Sequence, residues 1–332
     1  MGRSARLVCA IAAVSFIAAC RDQSSAPTEP GTLSERSVFN GPPEVLSKAI
    51  IHRTVGAVAA ARAKPARPGG GSANLSYHGG VGGIGVETAP RVYLVVWGSQ
   101  WNNNDPSGEV ALLQSFFGAI GGSSWLNSVT QYCQGVASGT VFCNGAGQAA
   151  GNPSGLFAGT WVDNASAAPS RPQQSDLAAE AVRAAAHFGN TTAASNASVQ
   201  YVIATATRNN SSGFGTQYCA YHSSTSSTYG NVAYTNLPYI TDAGASCGAN
   251  YNGLGAKAGI TIVSGHEVAE TISDQFPNGG WLDSGGAENA DKCAWSAGTS
   301  TNVSFSGKTF PVQSLWSNAA NNKSGGCVLS YP

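Results

Sequence analysis

The chain has 332 residues and a formal net charge of zero, with 10% of its residues charged and 42% apolar. An ordinary soluble domain is roughly a quarter charged, so any cluster of carboxylates here needs a reason. The apolar share excludes a disordered chain, and the charge balance excludes the basic footprint of a nucleic-acid binder.

Arg3 and Arg6 precede an apolar run, Leu7 to Ala19, that ends at Cys20. Residues 1–19 read as a signal peptide, since the run is too short to span a bilayer. Cys20 at the cut resembles the lipobox of bacterial lipoproteins, which predicts acylation there; plain secretion with an incidental cysteine is the alternative. Either way the mature chain is extracytoplasmic, and a lipid anchor is its only expected membrane contact. Residues 20–71 read as a tether: 21–43 are rich in Ser, Pro, Thr and Glu, and 44–64 read as a short basic helix carrying Val45, Leu46, Ile50, Val55 and Val58. His52 falls in this tail and draws no functional assignment. Residues 1–67 hold 9 basic and 4 acidic groups, leaving 8 and 13 for the rest. The apparent neutrality averages a basic tail and an acidic domain, 72–332.

Within the domain, Arg91 to Gly98 (RVYLVVWG) and Val199 to Thr207 (VQYVIATAT) read as buried strands. Asp105-Pro106 offers a helix start for a face of Val110, Leu113, Phe117 and Ile120, and Ser175 a cap for a helix over 176–188. This alternation predicts an α/β fold, a mixed sheet layered with helices, with long Gly/Ser/Asn-rich loops pinned by disulfides. Cys133, Cys143, Cys219, Cys247, Cys293 and Cys327 allow 15 connectivities. Nearest-neighbour pairing, which closes three local loops, is the expectation.

Residues 260–276 (ITIVSGHEVAETISDQF) read as a helix. At 100° per residue, His266, Glu267, Glu270 and Asp274 share one face, and Val268, Ala269, Ile272 and Phe276 the opposite one. The motif is H-E-x-x-E. His266 and Glu270, four apart, point the same way as two metal ligands must, and Glu267 stands where a general base would. Its chance expectation in this chain is about 0.004, against roughly 0.6–0.7 for the G-x-G-x-x-G at 80–85 or the G-x-S-x-G at 244–248, which are set aside. Six of the domain's 13 acidic residues lie between Glu267 and Asp291. Such crowding calls for a bound cation, and a merely solvated acidic face is the bland alternative. Glu288, 18 residues after Glu270, resembles the third ligand of the gluzincin arrangement, with Asp291 supporting a ligand and the two roles exchangeable. His222 is a further ligand or a donor to a developing oxyanion. A His–Glu–Glu shell is harder than the usual zinc set, so Ca2+ or Mn2+ stand beside Zn2+.

The stretches LSYHGG (75–80), VYLVVWG (92–98), YCAYH (218–222), VSGHEVAETISD (263–274) and ENADKCAW (288–295) together resemble the phosphate-induced, or Exordium-like, family of plant cell walls and bacteria. The resemblance spans residues 75–327 and implies an extracellular protein; it bears on fold and location rather than on a reaction. Plant members commonly carry a Thr-Asn-Pro or Thr-Asp-Pro turn after the helix, whereas here the proline waits until Pro277. The gluzincin likeness also lacks the second histidine.

The leading expectation is a monomeric, zincin-like metallohydrolase acting on a peptide or cell-wall polymer. His266, Glu270 and Glu288 would hold the metal, and Glu267 would take the proton of its water. The alternative is a non-catalytic wall-binding protein with a structural cation, its loops exposing Trp101, Trp125, Trp161 and Trp281 to saccharide.

Overall fold

The computed structural model describes residues 49–62 and 74–331. The signal peptide, Cys20 and the tether up to residue 48 lie outside the described residues. Six strands form one mixed sheet: β1 (Ala49–Arg53), β2 (Arg91–Trp97), β3 (Phe157–Asp163), β4 (Val199–Thr205), β5 (Tyr218–Ser227) and β6 (Gly230–Leu237), in the order β1-β5-β6-β4-β2-β3. β6, β4, β2 and β3 run parallel in succession, while β1, β5 and β6 pair antiparallel.

Helices cover both faces, so β2 and β4 are buried along nearly their whole length and read as unbroken apolar runs. On one face Tyr93, Val95, Tyr201, Ile203 and Tyr234 pack with Leu177, Ala181 and Ala184 of a helix at Gln174–His187. That helix begins with a capping box between Gln173 and Asp176 rather than at Ser175. On the other face Leu94, Val96, Val202 and Ala204 meet two helices, Glu109–Ile120 and Ala258–Ser273. Asp105 starts the first of these, its carboxylate accepting from the N–H groups of Glu109 (2.8 Å) and Val110 (3.1 Å).

The segment expected as a helix over 44–64 is instead strand β1 followed by a helix at Val55–Arg62. Ile50 and His52 alternate with Ile51 along β1, the period of a strand with one face inward. Trp295 Nε1 donates to Arg53 O (2.7 Å), and the Arg62 guanidinium donates to the carbonyls of Ala294 (2.9 Å) and Trp295 (3.1 Å), fastening the segment to the domain.

The disulfides pair nearest neighbours as expected: Cys133–Cys143, Cys219–Cys247 and Cys293–Cys327. The last two close spans of 28 and 34 residues, each adding roughly 3–4 kcal/mol by the chain-entropy account. Of the tryptophans assigned to a saccharide surface, Trp101, Trp125 and Trp281 are core residues. Their indole N–H groups donate to the carbonyls of Ala204, Gln313 and Cys133. Trp161, on β3, is half-buried and stacks on His187.

Candidate metal centre

The helix at Ala258–Ser273 has no solvated face: all 16 residues are buried, between the sheet, the helix at Glu109–Ile120 and the strand Lys308–Gln313. The two-faced pattern fails because the carboxylate side of this helix is covered by protein. Gly259 permits the burial at one end, since a Cβ there would lie 1.8 Å from Cys247 O. Cys247 is bonded to Cys219 of β5, three residues before His222. A disulfide and a close backbone approach thus hold the helix against the strand that carries His222.

Gln313 orients His266. Its amide donates to the carbonyls of Ala290 (2.8 Å) and Ser314 (3.3 Å), which turns Oε1 toward His266 Nδ1 at 3.2 Å. Oε1 only accepts, so Nδ1 holds a proton and, in the neutral ring, Nε2 presents its lone pair. Nε2 lies 3.0 Å from Glu270 Oε1 and 3.8 Å from Asp291 Oδ1. A lone pair facing a carboxylate at this distance demands a positive species between them, a proton or a metal ion.

Glu270 faces two ways. Oε1 accepts from the Asp291 backbone N–H at 2.9 Å, while Oε2, without a hydrogen-bond partner, lies 3.9 Å from His222 Nε2. His222 Nε2 meets Glu288 Oε2 at 2.7 Å. The expected His266–Glu270–Glu288 shell therefore divides: Asp291 gathers with His266 and Glu270, and Glu288 with His222 and Glu270. Glu267 lies buried beside His266 with both carboxylate oxygens unpartnered. Asp274, at the helix end, is hydrogen-bonded to the Glu288 side chain and accepts from the N–H groups of Asn278, Gly279 and Gly280, so shaping the exit loop. Lys292 pairs with Asp283 at 2.8 Å, and none of the ion pairs among the described residues joins Glu267, Glu270, Glu288 or Asp291 to a lysine or arginine.

These contacts set the proton affinities. Burial, reinforced by the charges of Glu270 and Asp291, holds the Glu267 carboxyl well above the usual range. Burial and then Glu270 do the same to Glu288 and push Asp291 up to about 7. For Glu270 burial acts most strongly and would raise the value, but the charge and hydrogen bond of His266, the charge of His222 and a hydrogen bond from Glu288 together outweigh it, and the carboxyl is lowered. Burial would likewise lower His266, but Glu270 raises it. His222 is driven down to about 4 by burial, partly offset by Glu270. An acidic face in water is excluded: His222, His266, Glu267, Glu270 and Glu288 are fully buried, and the Asp291 side chain is 22% exposed. That exposed part opens on a surface cleft of about 280 Å³ lined by Ile50, Ile51, Arg53, Asn278, Gly286 and Asp291.

The residue that sequence reasoning passed over is His52. In β1 it pairs with Ala220, and Ile50 with His222, so both histidines face the same helix. The His52 ring lies on His266 at 3.6 Å with 4° between planes, backed by Trp295, and both its nitrogens lack partners. His52, His266 and Glu267 bring ligand atoms within 4.8 Å of one another. Parallel rings, however, aim their lone pairs in separate planes, so one ion cannot lie in both; His52 supports the ring of His266 from its face. The alternation of Ile50 and His52 in AIIHR was the available signal.

Compared with family models, with curated proteins and with solved structures, the chain matches none of them.

Proposed function

We propose that this chain is an exported metal-dependent hydrolase, peptidase-like in its chemistry, and a member of the Exordium-like family by the stretches quoted above. The observation that carries the reading is buried His266 Nε2 set 3.0 Å from the Glu270 carboxylate and 3.8 Å from Asp291, with the Glu267 carboxylate, which no donor reaches, one residue away. The donor set of imidazole and carboxylates suits a divalent cation of Zn2+ or Mn2+ type. His266, Glu270 and Asp291 would hold it. A bound cation supplies a Lewis acid and a water of lowered pKa. Glu267, next to His266 and with both carboxylate oxygens free of hydrogen-bond donors, takes and returns the proton. His222, bonded to Glu288 on the other side of Glu270, serves either as a hydrogen-bond donor to a developing oxyanion or as a further ligand. The cleft at Asp291 is the approach for an extended peptide or wall polymer. Export is supported by the three disulfides. No helix among the described residues is long and apolar enough to cross a membrane.

One observation favours a second reading, a cation that only holds the fold together: structural sites are closed, and five of these side chains have no exposure. Glu267→Gln separates the two. With peptide and cell-wall substrates, the variant should retain its metal and lose at least about 100-fold in turnover. Turnover equal to the parent refutes the base assignment. A parent that hydrolyses nothing, but melts lower after chelation, establishes the structural reading.

A further inference from the structure

The Glu270 carboxylate stands between two sets of donors. Oε1 faces His266 Nε2 at 3.0 Å, with Asp291 Oδ1 3.8 Å from the same nitrogen. Oε2 faces His222 Nε2 at 3.9 Å, with Glu288 Oε2 2.7 Å from that nitrogen. Ligand atoms around one ion with bonds of about 2.0–2.2 Å stand roughly 3.3 Å apart, and each set brackets that spacing. Within each triad the ligand atoms all lie inside 4.8 Å. Glu270 Oε2 and Glu288 Oε1 are fully buried with no N–H or hydroxyl donor, their polar neighbours being each other's carboxyl groups and that of Asp274, and buried carboxylate oxygens crowded so are costly.

Charge points the same way. Glu267, Glu270, Glu288 and Asp291 bring four carboxylates into one site, and no lysine or arginine pairs with them among the described residues. A single divalent cation beside His266 leaves Glu288, with Asp274 hydrogen-bonded to it, away from any compensating cation.

We infer that the site is dinuclear, with the Glu270 carboxylate bridging two divalent cations of Mn2+ or Zn2+ type. One lies between His266, Asp291 and Glu270 Oε1, the other between His222, Glu288 and Glu270 Oε2. This deepens the proposed function and rests on it for the first ion. A bridging carboxylate holds the two ions about 4 Å apart, the spacing of two-metal hydrolase sites. The second triad then contributes ligands instead of a lone proton donor, and the cation replaces the proton that His222 and Glu288 otherwise share.

The full exported chain, stripped with chelator and titrated with Mn2+ alone, tests this. Expected is uptake of about two equivalents per chain, with a spin-coupled electron paramagnetic resonance spectrum in place of that of an isolated ion. His222→Ala and Glu288→Gln should each reduce uptake to about one equivalent and restore the isolated-ion spectrum. One equivalent in the parent, uncoupled and lost in His266→Ala, overturns the second position and leaves the proposed function standing. No uptake of Mn2+ or of Zn2+ by the parent overturns both. The parent's stoichiometry and spin coupling decide the matter even if a variant does not fold.

Discussion

Gln313→Leu should weaken metal binding although Gln313 touches no ion. The parent amide accepts from His266 Nδ1 at 3.2 Å and donates to Ala290 O at 2.8 Å, and leucine fills similar volume with neither group. The Nδ1 proton would then be buried without an acceptor, a penalty of about 1–3 kcal/mol. The ring regains access to the tautomer that places its proton on Nε2, against the ion. Loss of such an orienting partner lowers metal affinity by about 10–100-fold, which is about 1.4–2.8 kcal/mol. Competition with a chromophoric zinc chelator measures it, with the thermal melt recorded to confirm folding. Gln313→Glu is the control: a protonated glutamic acid accepts from Nδ1 and donates to Ala290 O, so most of the affinity should return. A folded Gln313→Leu protein that binds zinc as tightly as the parent refutes the tautomer assignment and the orientation of His266 drawn from it.

Other outcomes follow from groups outside the centre and from removal of its ion. Burial, opposed in part by the bond to Gln200, pushes the Glu87 carboxyl up to about 8. Between pH 4.5 and 8 the folded state therefore keeps a proton that the unfolded chain releases, and stability should fall by about 1.4 kcal/mol per pH unit as pH rises through that window. Urea denaturation at several pH values should show Glu87→Gln gaining on the parent toward pH 8; parallel profiles would contradict this. Gly259→Ala places a Cβ 1.8 Å from Cys247 O and should cost about 3 kcal/mol or more. Gly118→Ala, in a helix with open space around it, should instead stabilise by about 0.5–1 kcal/mol; equal melting shifts for the two would undo the packing account. Chelation should lower the melting temperature, with recovery on adding Zn2+ at about 100 times its Kd of the order of 2.7 kcal/mol.

Strands β2 and β4 and the helices near them were legible because their signals are local: unbroken apolar runs, a capping aspartate, helical spacing. The disulfide pairing was legible as well, since each bridge closes a short loop. The region around β1 was misread because Val45 to Val58 satisfies a helical period while Ile50 and His52 satisfy a strand period. Only pairing with β5 decides between them. Tryptophans in Gly/Ser-rich loops looked exposed because composition says nothing of where a loop folds back; Trp125 and Trp281 pack in the main apolar cluster, their indole N–H groups satisfied by carbonyls remote in sequence.

By itself the sequence determined that His266 and Glu270 stand side by side, because a four-residue spacing on a helix fixes two side chains on one side whatever surrounds them. It also marked Glu288 and Asp291 as their partners through the crowding of charge in an acid-poor chain. Tertiary structure alone decided that this helix is buried all round and that Asp291 rather than Glu288 stands beside His266. It alone brought in His52 from the edge strand β1 and His222 from its neighbour β5. Those are contacts between segments far apart in the chain, fixed by strand register, a disulfide and the packing of one helix on a sheet, and no local periodicity encodes them.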